Sequence, residues 1–174
     1  VMRAIFVLFD TLNRRNLEAY GGTLVKTPNF NRLAERSVTF DNHHVGSMPC
    51  MPARRDLQAG RVNFLHRSWG PLEPFDISMP SILGEEGIYT HLTTDHHHYF
   101  EDGGSGYHTS YHSYDFLRGQ EGDGWKGIVD PPLAEWRQKY HPKQYSDKAG
   151  TYPYHYMANR EYLKEEKDLP AVQT

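Results

Sequence analysis

Apolar and polar positions along this chain change period several times, and each change predicts an element. Residues 3–9 (RAIFVLF) form a continuous apolar run of aromatic and β-branched side chains that stops at Asp10. A short run that is apolar on both faces predicts a buried parallel strand. Asp10 then stands at its C-terminal end, where open α/β sheets place their ligands. Residues 16–20 (NLEAY) predict a helical turn closed by Gly21-Gly22. Thr27-Pro28 is a helix start, with Thr27 as N-cap, Pro28 at the first position and an apolar face of Phe30, Leu33 and Ala34. Val38-Thr39-Phe40 predicts a short strand.

Residues 53–59 (ARRDLQA) predict a helix stopped by Gly60, with Pro52 near its first turn and Cys50 just ahead of its N-terminus. Ser78 to Leu83 open another helix that ends near Gly84 or Gly87, and residues 88–93 (IYTHLT) predict a second parallel strand. Strand, helix, strand, helix, strand is the order of an α/β fold. Residues 101–127 read as a long loop rich in Gly, Tyr, His and acids. A short helix follows around LAEWRQKY, then a loop over 141–153 and an amphipathic helix over 154–168. No internal repeat is present.

Composition narrows the functional classes. The 174 residues fit one domain or a part of one, and only 37% are hydrophobic, which is polar for a finished domain. The net charge of −3 and the scattered Lys and Arg leave no footprint for nucleic acid. The apolar run at residues 4–9 is too short to cross a membrane. No small-residue cleavage site follows it, so the expectation is a cytoplasmic protein without a membrane partner. A single cysteine excludes an internal disulfide framework. The eleven His cluster at His43-His44, His96-His97-His98, His108 and His112. Such clusters are either surface-loop chemistry or a metal-rich active region.

The window with chemistry is 50–61 (CMPARRDLQAGR). A Cys at a helix N-terminus with Arg54 four residues on sits in an electropositive setting, which lowers a thiol pKa and favours anions. Two cysteine chemistries compete. A thiolate phosphatase loop needs Arg after five intervening residues, and position 56 is Asp. The pattern that fits is Cys-x-Pro-x-Arg, as Cys50, Pro52 and Arg54, followed by Gly60-Arg61. Read blandly, Cys50 is a buried inert thiol, Asp10 a turn cap and Arg54 a solvated helix residue.

The window resembles the signature of type I sulfatases, in the alkaline-phosphatase superfamily. The resemblance continues through Phe6-Val7-Leu8-Phe9-Asp10, Tyr20-Gly21, Thr27-Pro28-Asn29-Phe30-Asn31-Arg32-Leu33-Ala34, Val38-Thr39-Phe40 and Gly87-Ile88-Tyr89-Thr90. Residues 2–98 are covered in order and 99–174 far less clearly. The resemblance implies an α/β fold with a mixed, mostly parallel sheet flanked by helices. It implies that residues 1–174 are the N-terminal part of a catalytic domain whose remainder lies outside this chain. Its function would be hydrolysis of small-molecule sulfate esters.

It further implies that a formylglycine-generating enzyme oxidises Cys50 to formylglycine, whose hydrate is the nucleophile and a metal ligand. Asp10 would bind calcium or another divalent metal. Arg54 would hold the nucleophile, and His97 would bind substrate or protonate the leaving oxygen. His98 and His66 are further candidates for substrate contact, with His43 and His44 behind them. Two departures stand out. Thr11 occupies the place of a second acid, and counting from Thr90 puts Asp95 where many members carry Lys and His97 on their His. These leave open a phosphodiester or phosphonate monoester hydrolase of the same superfamily, or a non-catalytic metal-binding module.

Overall fold

A computed structural model describes residues 3–63, 67–101, 106–142 and 154–174. Two parallel strands, β1 (His91–Thr94) and β2 (Ser113–Phe116), pair in register from His91 with Ser113 to Thr94 with Phe116. The α-helices, in chain order, are α1 (Pro28–Ala34), α2 (Cys50–Ala59), α3 (Met79–Glu85), α4 (Leu133–Lys139), α5 (His155–Tyr162) and α6 (Pro170–Gln173). The α/β class holds, since parallel strands need a crossover between them.

Two of the expected strands do not form. Residues 3–9 and 38–40 lie outside any ladder, and Ile5 to Phe9 are 49–90% exposed. Side-chain pattern alone does not make a strand; it needs a hydrogen-bonded neighbour, and no described residue pairs with either run. They are placed by side chains instead. Phe9 packs on Phe30 at 5.7 Å between ring centroids, and the Tyr20 hydroxyl donates to the Phe40 carbonyl at 3.0 Å. The expected strand at 88–93 forms three residues later at its start and one at its end. Its partner β2 lies in the stretch read as a long loop, where the aromatic residues Tyr114 and Phe116 fit a pleated surface.

The helices follow their sequence signals more closely. α1 starts at Pro28, but Thr27 does not cap it: the Thr27 hydroxyl accepts from the Glu18 amide, while a Glu18 carboxylate oxygen accepts from the Thr27 amide at 2.7 Å. α2 begins at Cys50 itself, one turn earlier than expected, and stops at Gly60, whose φ of 68° is left-handed. Ser78 caps α3 by accepting from the Ser81 amide. The amphipathic helix expected over 154–168 ends at Tyr162. Glu165 and Asp168 cap each other's backbone and start a separate turn, which competes with helix continuation.

Two small cores result. Met51 of α2, Tyr99 and Tyr107 are buried together, with Leu72, Leu92 of β1 and Phe100 against them. Trp136 of α4 packs with Met157 and Ala158 of α5. Between α2 and α3 the chain is tied by polar bonds. Arg55, 2% exposed, donates to the carbonyls of Ser68, Gly70 and Pro71. Arg67 makes a bidentate pair with the fully buried Asp76 carboxylate, which also accepts from the Glu73 amide.

The hydrogen bonds from Arg67 hold the Asp76 carboxyl below its usual range. A carboxyl whose folded pKa is depressed contributes stability above its unfolded pKa, and that stability is lost as pH falls further. Asp76→Ala, which strands the Arg67 charge, is expected to destabilise the fold by about 3 kcal/mol at pH 7. Urea unfolding at pH 7, 5 and 3 checks this. The difference between wild type and variant should shrink below about pH 4, and a difference that does not change with pH would remove the ion pair as its cause.

Candidate functional site

The site is assembled from three segments. Asp10 follows the apolar run, Cys50 and Arg54 come from the first turns of α2, and His96 precedes the short 3-10 turn His97–Phe100. Asp10, Cys50 and His96 each bring one donor atom to within 4.8 Å of the other two. Arg54 Nη1 donates to Asp10 Oδ1 at 3.0 Å across 44 residues of sequence. The Arg54 guanidinium carbon lies 5.4 Å from the centroid of the buried Tyr99 ring, so the cation is held over an aromatic floor.

The electrostatics differ from the sequence expectation at one point. Cys50 is at a helix N-terminus beside Arg54, yet burial and the Asp10 charge push its thiol up, with Arg54 pulling in the opposite sense. The expected lowering fails first because the thiol is partly buried, and then because the Asp10 carboxylate opposes Arg54. His96 is 3% exposed, and burial, then Arg54, pushes its pKa down to about 4. It is therefore a neutral imidazole at pH 7, able to act as a ligand or an acceptor. Its Nε2 is buried with no hydrogen-bond partner among the described residues. Burial also raises the Asp95 carboxyl, helped by Glu121.

The candidate residues separate accordingly. Asp10, Cys50 and Arg54 come together. His97, the one counted onto the family's His, lies beside Glu101 instead, with its Nε2 at 3.7 Å from Glu101 Oε1. His98 uses both ring nitrogens on carboxylates, Nδ1 on Glu101 and Nε2 on Glu121 at 3.2 Å. His66 lies outside the described residues. His43 and His44 are exposed, and His43 meets Phe40 edge-on. His112 Nδ1 is 3.1 Å from the Thr90 amide, while the His108 ring lies tilted against Phe100 with its Nδ1 3.3 Å from the Tyr99 carbonyl.

The residue that sequence reasoning passed over is His96. In a run of three His the register is ambiguous, and the extended backbone of His96 followed by the turn sends neighbours to different surroundings. The signal available was Thr94, whose hydroxyl accepts from the His96 amide and fixes that residue at the end of a strand.

These three donors suit a divalent cation in part. An orphaned imidazole nitrogen, a carboxylate and residue 50 converge, as a metal site requires. Calcium takes six to eight oxygens, and among the described residues Asp10 alone brings carboxylate oxygen to this group.

The family model for sulfatases matches residues 3–161. The chain is 25% identical to arylsulfatase G of Mus musculus over 140 residues, which is 74% of this chain and 25% of the relative. It is 40% identical over 52 residues to the multifunctional alkaline phosphatase superfamily protein PehA of Trinickia caryophylli, 30% of this chain and 10% of that one. It is 30% identical over 59 residues to an N-acetylglucosamine-6-O-sulfatase of Bacteroides thetaiotaomicron, 34% of this chain and 11% of the relative. The chain thus spans a quarter or less of the length of these relatives. No solved structure matches.

Proposed function

This chain belongs to the sulfatase family, and from that membership we propose that it is the N-terminal part of a domain hydrolysing small-molecule sulfate esters through a formylglycine made from Cys50. The observation that carries the reading is the convergence of Asp10, Cys50, Arg54 and His96 from distant parts of the chain. The raised thiol argues against a thiolate nucleophile, which needs a depressed Cys pKa.

Once formed, the hydrated aldehyde would supply one hydroxyl as nucleophile toward sulfur and a second whose deprotonation would let the carbonyl re-form with release of sulfate. Asp10, residue 50 and His96 would hold a divalent cation, which supplies charge neutralisation for the sulfate oxygens. Arg54 fixes Asp10 and adds positive potential beside residue 50. His96 takes the place first given to His97 beside residue 50, as a neutral ligand and not as the acid for the leaving oxygen, since it lies against Cys50 and is neutral at pH 7. The modifying enzyme and the remainder of the domain are its partners.

A second reading, hydrolysis of phosphodiesters or phosphonate monoesters, is favoured by the half-buried acid Asp95 where many members carry Lys. Steady-state rates on paired aryl sulfate and aryl phosphodiester substrates decide between them; higher kcat/KM on the sulfate is expected, and the reverse sinks the sulfatase reading. In the same assay His96→Ala should cost about a hundredfold in kcat/KM, and His97→Ala under tenfold. The opposite order would return the role to His97.

A further inference from the structure

Beside the Asp10–Cys50–His96 group lies another set of donors that the hydrolytic reading does not use. His97, His98 and Glu101 each place one ligand atom within 4.8 Å of the other two. They stand at i, i+1 and i+4 on and just after a single 3-10 turn, so the backbone itself delivers them to one place. His98 Nδ1 touches Glu101 Oε1, and His97 Nε2 is 3.7 Å from the same oxygen. Two ligands bound tetrahedrally at about 2.0–2.1 Å lie about 3.3 Å apart, so the set needs only a small adjustment.

Two of these three side chains have their outer atoms occupied in the manner of a metal site. His98 Nε2 is held by Glu121 Oε2 at 3.2 Å, the carboxylate behind an imidazole that orients it for a metal. The other oxygen of Glu101 accepts from the Trp69 indole at 3.2 Å, which leaves Oε1 directed at the two imidazoles. His97 has its Nδ1 buried with no hydrogen-bond partner among the described residues, and its ring sits 3.9 Å from that of His98.

We propose that His97, His98 and Glu101 form a second metal site, for a borderline divalent ion of the zinc class, distinct from the Asp10–Cys50–His96 group. Two imidazoles and one carboxylate with a remaining open position are a donor set for zinc and its neighbours, too poor in oxygen for calcium. The His96 ring meets that of His98 edge-on at 4.9 Å, so an ion here would fix the turn that carries His96 into the hydrolytic site. The site does not rest on the chemistry of residue 50.

The test is zinc titration by calorimetry on chelator-stripped protein carrying Cys50→Ala, which removes the thiol from the neighbouring group. One Zn2+ per chain is expected. Affinity should fall at least tenfold in Glu101→Gln and in His98→Gln, and about 10- to 100-fold in Glu121→Gln, which removes only the supporting carboxylate. Cobalt in place of zinc should give visible ligand-field bands that the same variants abolish. Circular dichroism of the metal-free variants checks folding; should His98→Gln not fold, the exposed Glu101→Gln carries the test. Absence of zinc binding in the Cys50→Ala protein overturns the proposal, as does binding unchanged by Glu101→Gln.

Discussion

Cys50→Ser protein is expected to release one equivalent of alcohol from a sulfate ester and then stop, with steady-state kcat down by about 10⁴-fold or more. A serine hydroxyl can attack sulfur, but its carbon carries no second hydroxyl to expel sulfate. The enzyme should accumulate as a sulfate ester at residue 50, visible in the mass of the tryptic peptide Ser37–Arg54. Cys50→Ala should give neither burst nor adduct. In active wild-type protein the same peptide should have lost sulfur, gained oxygen and resist alkylation at residue 50. An alkylatable thiol in fully active protein would end the formylglycine reading, and so would Cys50→Ala protein retaining a tenth of the activity. The raised Cys50 thiol sharpens the test, because an unmodified cysteine here is a poor nucleophile at neutral pH.

The parts of the molecule legible in the sequence are those governed by local chemistry. Pro28, Ser78 and Gly60 mark helix ends through backbone constraints that need no tertiary partner, and the structure follows them within a residue or so. Cys50-x-Pro52-x-Arg54 falls on one helix, so its spacing alone places two groups together. What the sequence could not reveal depends on distant partners. The run 3–9 reads as a strand but has no ladder among the described residues, while β2 hid in a stretch whose Gly, His and acids suggested a loop. Burial of Cys50 and the Asp10 carboxylate, brought beside it by a pair to Arg54 that spans 44 residues, outweigh the electropositive setting that the helix terminus alone suggests. Likewise His96 and His97 are equivalent in the sequence; only the turn that begins at His97 sends one to Cys50 and the other to Glu101.

Arg54→Ala should lower kcat/KM by about 10³-fold, or about 4 kcal/mol of transition-state stabilisation. Arg54 is 6% exposed, with its guanidinium held between Asp10 and the Tyr99 ring, so its charge acts in a poorly solvated place. Its loss leaves the Asp10 carboxylate unpaired beside residue 50, where it opposes an anionic ester. Arg54→Lys keeps the charge but not the planar group on Tyr99, and should recover only part of the rate. Arg54→Met fills the space without the charge. If packing were the role of Arg54, Met would restore activity, whereas an electrostatic role leaves it as slow as Ala. A readout independent of turnover comes from unmodified protein. Arg54 is the cation that lowers the Cys50 thiol against burial and Asp10, so removing it should move the alkylation profile of Cys50 to higher pH. An unchanged profile together with an unchanged rate in Arg54→Met would mean that Arg54 acts through packing alone.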